Sequence, residues 1–271
     1  NIMPRSWPPW PTLEEPPTRV EAPAAERAGR PRHPFRAFFA GAVSPRGCLA
    51  SLPSLSGFDL YDVARRGLPR GVCGGADPGA CAYYLACAAS ALEHLHGARP
   101  KVAYRDLAPE HLAVSDDGRL VLADFSDSKA VDNVAHTLCG TAEYAAPEMA
   151  RGLGHYVAVD CWGLGVLCHD LLCGETPFRA EAPVLVYYKI LRAPSSPRLE
   201  GLRALRPWQD LCRRLLEPDP ALRLGALSDG CFAASQRAEG REEKEGNVRV
   251  RNNVRVRVRN ILIRVRDRAR G

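Results

Sequence analysis

At 271 residues the chain has room for one large domain or two small ones, and 46% hydrophobic residues suffice for a core. The net charge of +6 is uneven: Asn247–Gly271 holds nine arginines against one aspartate, which leaves the rest slightly acidic and argues against nucleic acid as the partner of the main body. No apolar run approaches the roughly 20 residues of a membrane span, the longest uncharged one being Cys81–Leu92.

Residues 1–32 are rich in Pro, Arg and Glu and keep no sustained period, which favours extended or disordered backbone. They contain no continuous apolar stretch of the kind found in a secretory leader, so none is expected. His33–Leu52 reads as two strands with Ser44–Pro45–Arg46–Gly47 as the turn. Asp77–Pro78 marks a helix start, and Tyr84, Leu85, Ala88, Leu92 and Leu95 then recur at helical spacing. Val114–Asp124 reads as a hairpin turning over Ser115–Asp116–Asp117–Gly118. The ten cysteines form no CxxC pair. Cys81, Cys87, Cys168 and Cys173 fall on apolar helical patterns and are expected as buried, reduced thiols in the cytoplasm or nucleus. Beyond Glu239–Glu245, residues Asn247–Arg266 alternate Val and Arg. That alternation is either a cationic strand for anionic lipid or RNA, or a low-complexity stretch without an evolved fold.

Three runs carry chemistry: YRDLAPEHL (Tyr104–Leu112), ADFSDSK (Ala123–Lys129) and LCGTAEYAAPE (Leu138–Glu148). Asp124 lies 18 residues after Asp106, and Glu148 a further 24 on. In this order and spacing the runs resemble the catalytic loop, metal-binding loop and activation segment of a serine/threonine protein kinase. The likeness is to the AGC group, and especially to its cyclic-nucleotide-dependent kinases, over roughly Pro34–Gly230. Val159–Phe178, Glu181–Leu191 and Leu211–Gly225 match the helices that follow in that family, while Gly57–Asp62 and Ala80–Gly97 match those after its hinge. The implied fold is α+β and protein-kinase-like, with a mainly α-helical carboxyl-terminal lobe over 57–230. A remnant of the β-rich amino-terminal lobe and the hinge would occupy 33–56, and a low-complexity tail 231–271.

The resemblance implies ATP and Mg²⁺ as cofactors and transfer of the γ-phosphoryl group to Ser or Thr. Asp106 would accept the substrate hydroxyl proton with Thr141 beside it, and Asp124 and His111 occupy the metal-ligand positions. Leu55 matches the backbone partner of adenine, with Asp59 and Glu110 also against the nucleotide. Thr137 stands where these kinases carry an activating phosphothreonine, with Arg105 and Lys129 as the cations that meet it. Asp59, Glu110, Glu143 and Asp170 match carboxylates that face the arginines of basic peptide substrates; as surface carboxylates they need have no partner beyond water. Glu148 with Arg223 matches a buried ion pair, and Asp160 the residue that holds the catalytic-loop backbone. A cyclic-nucleotide-binding regulatory partner follows from the same likeness.

Departures from the pattern bear on activity. Ser126 replaces the glycine of DFG, which removes backbone freedom while keeping the carboxylate. His111 replaces an asparagine, and imidazole is a poor ligand for Mg²⁺. Ala108 replaces a lysine that contacts the transferring phosphate, a loss of ~3–4 kcal/mol by analogy with removing one oxyanion donor. No GxGxxG precedes His33, and the first lysine is Lys101. Three readings stay open: an impaired kinase, a catalytically silent pseudokinase that binds proteins through its acidic groove, and a non-functional fragment.

Overall fold

The computed structural model describes residues 55–225, apart from 99, 116–117, 119, 132–133, 193–198, 200–201 and 204. The expected strand pair over His33–Leu52 and the Arg/Val tail therefore lie outside the described residues.

The architecture is α+β, with short antiparallel strands laid against a helical body. β1 (Leu55–Asp59), β3 (Leu112–Ser115) and β4 (Leu120–Leu122) make one sheet in the order β1-β3-β4. The hairpin foreseen around Gly118 is β3–β4, in the register Leu112↔Leu122 and Val114↔Leu120. Gly57–Asp59, expected as helix, instead runs as the end of β1, with Asp59 opposite Ala113. Pairing with β3 wins there over local helical preference. A second, two-stranded sheet joins β2 (Val102–Ala103) to β5 (Lys129–Ala130).

Asp59 ends β1 by accepting the Asp62 backbone N–H at 2.7 Å, which caps the short helix α1 (Leu60–Asp62); a wide π-type turn follows over Val63–Gly67. α2 (Pro78–Gly97) starts where the sequence indicates. Asp77 accepts from the N–H groups of Gly79 and Ala80 at 2.8 and 3.2 Å, and Pro78 takes a position that needs no N–H donor. The short helix α3 (Pro147–Ala150) follows the activation segment, and α4 (Ala158–Cys173) forms the centre.

Every residue of α4 except Cys173 is buried, so no polar face exists to turn towards water. Its approach to α6 (Arg206–Leu215) is set by Gly165: a Cβ there would lie 2.8 Å from that of Leu215. The family match placed helix over Leu211–Gly225, whereas α6 starts at Arg206, with Trp208 also fully buried, and ends at Leu215. Trp162 stacks on Phe178 with ring centroids 5.4 Å apart. α4 stops at Gly174, whose φ of 82° is left-handed. The amphipathic helix α5 (Pro183–Arg192) buries Val186 and Ile190 and leaves Val184, Leu185 and Tyr188 exposed. No helix among the described residues is long and apolar enough to cross a membrane.

Candidate functional site

The site is built on one buried carboxylate. Asp160, on the first turn of α4, is 1% exposed. It accepts the backbone N–H of Arg105 at 2.7 Å and that of Tyr104 at 2.9 Å, and it pairs with His96 at 2.7 Å. Two consecutive N–H groups can aim at one carboxylate only if the chain bends sharply. Arg105 accordingly has φ of 72°, the one positive value among the described non-glycine residues. Nothing in the sequence pattern pointed to His96; its ring reaches across from the last turn of α2.

The bend presents Asp106. Both of its carboxylate oxygens are engaged: Oδ1 accepts the Thr141 backbone N–H at 3.0 Å, and Oδ2 lies 3.0 Å from Nδ1 of His111. His111 Nδ1 also lies 3.4 Å from the Asp106 carbonyl. Thr141 thus meets Asp106 through its main chain, and the activation segment is fastened to the catalytic loop. Asp124, by contrast, is exposed, and its Oδ1 accepts the Ser126 N–H at 2.8 Å. That N–H and the Ser126 hydroxyl hold the carboxyl below the usual carboxylate range, and nearby His111 adds to the effect.

The donor set fits Mg²⁺ unequally. Asp124 is an ionised, accessible oxygen ligand suited to a hard cation. His111 does not fit, because the nitrogen it turns towards the catalytic loop is committed to Asp106 and imidazole suits softer metals. Among the described residues no cluster of three or more His, Cys, Asp and Glu is arranged to hold a metal ion. Leu55 pairs with Ser115 at the start of β1.

Arg105 turns its side chain towards the Ala123–Lys129 run. Its Nε donates to the Asp127 carbonyl at 2.5 Å, while Nη1 is buried without a hydrogen-bond partner. Lys129 is exposed on β5, and Thr137 is exposed as well. No hydrogen bond or ion pair joins Thr137 to either cation among the described residues. His155 pairs through its backbone with Ala135 and is 2% exposed. Burial, then the Arg105 charge, holds its imidazole below the usual range.

The four acidic positions are not equivalent. Asp170 is 5% exposed and already paired: Arg65 reaches Oδ1 at 2.7 Å, and the Tyr144 hydroxyl donates to Oδ2 at 3.0 Å. Neither partner was singled out from the sequence, since Arg65 lies 105 residues away. Glu143 accepts the Thr176 hydroxyl, and Asp59 caps α1. Glu110 is exposed, yet its carboxyl is pushed up by partial burial and by the Asp170 and Asp59 charges. Behind the site, Arg223 and Glu148 form a bidentate pair at 2.7 and 2.9 Å. Arg223 is 0% exposed and also bonds the carbonyls of Ala158, Glu217 and Pro218.

Asp106, the bend at Arg105 held by the buried Asp160, and the exposed Asp124 all lie within residues 72–231, which match the protein kinase domain family. The chain belongs to the protein kinase domain family. It is 43% identical over 149 residues to cAMP-dependent protein kinase catalytic subunit 3 of Drosophila melanogaster, covering 55% of this chain and 24% of that protein. Against the cAMP-dependent protein kinase catalytic subunit of Dictyostelium discoideum the identity is 41% over 151 residues, covering 55% and 22%. Against cGMP-dependent protein kinase 2 of Rattus norvegicus it is 39% over 150 residues, covering 55% and 19%. The chain thus spans about a fifth to a quarter of the length of these curated relatives, and its kinship is with cyclic-nucleotide-dependent kinases of the AGC type.

Proposed function

We propose that this chain carries the carboxyl-terminal lobe of a serine/threonine kinase of basic peptides, with phosphoryl transfer from ATP impaired. The observation that carries the reading is the bond from His111 to Asp106. A base must be free to meet a hydroxyl, and here both Asp106 oxygens are engaged within the chain. Asp106 would orient the hydroxyl, Asp124 would hold Mg²⁺, and the β1 backbone at Leu55 would border the adenine. When bound, Mg²⁺–ATP supplies the phosphoryl group and offsets its charge. Ala108 leaves the transferring phosphate without a cation from the catalytic loop.

The unpartnered Arg105 Nη1, with Lys129 and Thr137 exposed nearby in the chain, supports regulation by phosphorylation of Thr137. A cyclic-nucleotide-binding partner and a cytoplasmic setting belong to the same proposal. Transfer of labelled γ-phosphate to an Arg-Arg-x-Ser peptide tests it. Wild type should incorporate little, and His111→Asn should incorporate at least tenfold more, with Asp106→Ala abolishing the signal. Robust incorporation by the wild type would refute impairment.

A second reading, peptide binding without catalysis, has its own observation. Beyond partial burial, the Asp170 and Asp59 charges push the Glu110 carboxyl up, which supports a groove of gathered carboxylates. An Arg-Arg-x-Ala peptide should bind in low salt and lose affinity as ionic strength rises. An Arg-free peptide binding equally well would exclude this reading.

A further inference from the structure

The loop before α2 and the end of α4 run side by side and carry a cysteine each. Ala76 N–H donates to the Leu171 carbonyl at 2.8 Å, and Gly75 N–H to that of Leu172 at 3.0 Å. One step further along, a Cβ on Gly74 would lie 3.4 Å from the Cys173 carbonyl oxygen, and one on Gly174 would lie 3.4 Å from the Gly74 carbonyl oxygen. Cys73 sits in the turn closed by the Gly71 N–H on the Gly75 carbonyl and the Gly74 N–H on the Gly71 carbonyl, one residue from the contact of Gly74 with Cys173–Gly174. Both cysteines are partly exposed, whereas Cys81, Cys87, Cys161, Cys168 and Cys212 are buried. The sequence pattern placed Cys173 in the core with Cys81 and Cys168. It is instead the only residue of α4 that is not buried.

We infer that Cys73 and Cys173 form a reversible disulfide that staples the loop before α2 to the carboxyl end of α4. Burial pushes the Cys173 thiol up to about 12, with Cys73 as the next largest contribution. The step is an exchange with a small oxidised disulfide of the glutathione type. The Cys73 thiolate attacks one sulfur of that disulfide and expels a thiolate, leaving a mixed disulfide on Cys73. Cys173, deprotonated, then attacks the Cys73 sulfur and expels the second small thiol. Two protein thiols are oxidised, one small disulfide is reduced to two thiols, and the two protons end on the leaving groups. Because both thiols are held protonated at neutral pH, the exchange is slow near pH 7 and quickens as pH rises.

The staple would bear on the acidic groove. Arg70 in this loop bonds the Gly74 carbonyl at 3.3 Å and the Arg65 carbonyl at 3.2 Å, and Arg65 holds Asp170. Loop closure over a long stretch constrains the unfolded chain, so oxidation should raise the thermal midpoint by about 5–10 °C. The inference does not depend on phosphoryl transfer or on peptide binding.

The test uses the full chain with Cys48→Ser and Cys231→Ser, which removes the two cysteines outside the described residues. Incubation with oxidised glutathione at pH 8.5, then blocking of free thiols and peptide mass mapping, should yield a Cys73–Cys173 cross-linked peptide. Two thiols should disappear with no added glutathione mass, and the thermal midpoint should rise and fall back with reductant. Cys73→Ser, at a partly exposed position, should end the cross-link and leave glutathione adducts only on Cys173 and the partly exposed Cys139. A cross-link that survives in Cys73→Ser, or oxidation of wild type that stops at separate glutathione adducts on Cys73 and Cys173, would overturn the inference.

Discussion

Asp160 and Asp124 are aspartates of the same lobe in opposite circumstances. Asp160 has almost no exposure and three donors drawn from two distant parts of the chain. Asp124 is open to solvent and takes its backbone donor from two residues along its own loop. The same contrast runs through the whole molecule. In the frame, Glu148, Arg223 and Asp160 are enclosed and answered by opposite charge or N–H groups. At the mouth, Glu110 lies open near Asp59 and near the buried Asp170, which Arg65 and Tyr144 already engage. A carboxylate in the frame holds shape, whereas a carboxylate at the mouth keeps its charge available for a ligand.

Perturbing the frame should therefore cost most. Arg223→Ala leaves Glu148 buried without its partner, and urea unfolding should register a loss of about 3–5 kcal/mol. A loss under about 1 kcal/mol would show that water enters and that the frame is not closed. Asp160→Ala removes the acceptor of two backbone N–H groups and of His96. It should cost about 2–4 kcal/mol and release the bend at Arg105, read as faster amide exchange at Tyr104 and Arg105. Gly165→Val tests the closeness of α4 and α6: its side chain meets Leu215 and Leu216, and a loss of about 1–3 kcal/mol is expected.

Acid sharpens the comparison further. The His155 imidazole titrates below its ordinary value in the folded chain, so its contribution is present above the unfolded pKa of about 6.5 and is lost as pH falls through the lower folded value. Between those two values wild type should lose stability faster with falling pH than His155→Gln does, by up to one proton in the slope. The smallest effect belongs to the mouth. Glu110 has a raised folded pKa, so its contribution is full below the unfolded carboxyl value and falls away as pH rises through the folded one. At pH 7 Glu110→Gln should be neutral or stabilising by a few tenths of a kcal/mol, and parallel urea curves at pH 4 and 7 would show it.

What could be read from sequence was local or carried by a motif. Asp77–Pro78 signals a helix start by chemistry confined to four residues, and Gly118 with flanking alternation signals β3–β4. The kinase-like runs likewise placed Asp106, Asp124 and Glu148 in one lobe. Hidden from that reading were contacts whose partners share no period or spacing, such as Arg65 with Asp170 and His96 with Asp160. Position 111 marks the boundary. By resemblance the residue type implied the loss of a hard-oxygen ligand, but not that the imidazole would turn onto Asp106. Burial of Cys173 was misjudged for a related reason: helical periodicity does not say where the covering elements end.

The left-handed turn at Arg105 fixes an order of assembly. A side chain at positive φ is unfavourable by itself, and what holds it here is a carboxylate 55 residues further along. A nascent chain that has not yet released Asp160 has no means of keeping that turn, so Asp106 acquires its presentation only after α4 has docked. A half-made lobe therefore cannot hold Asp106 in its final place, and the whole loop settles in one step with α4.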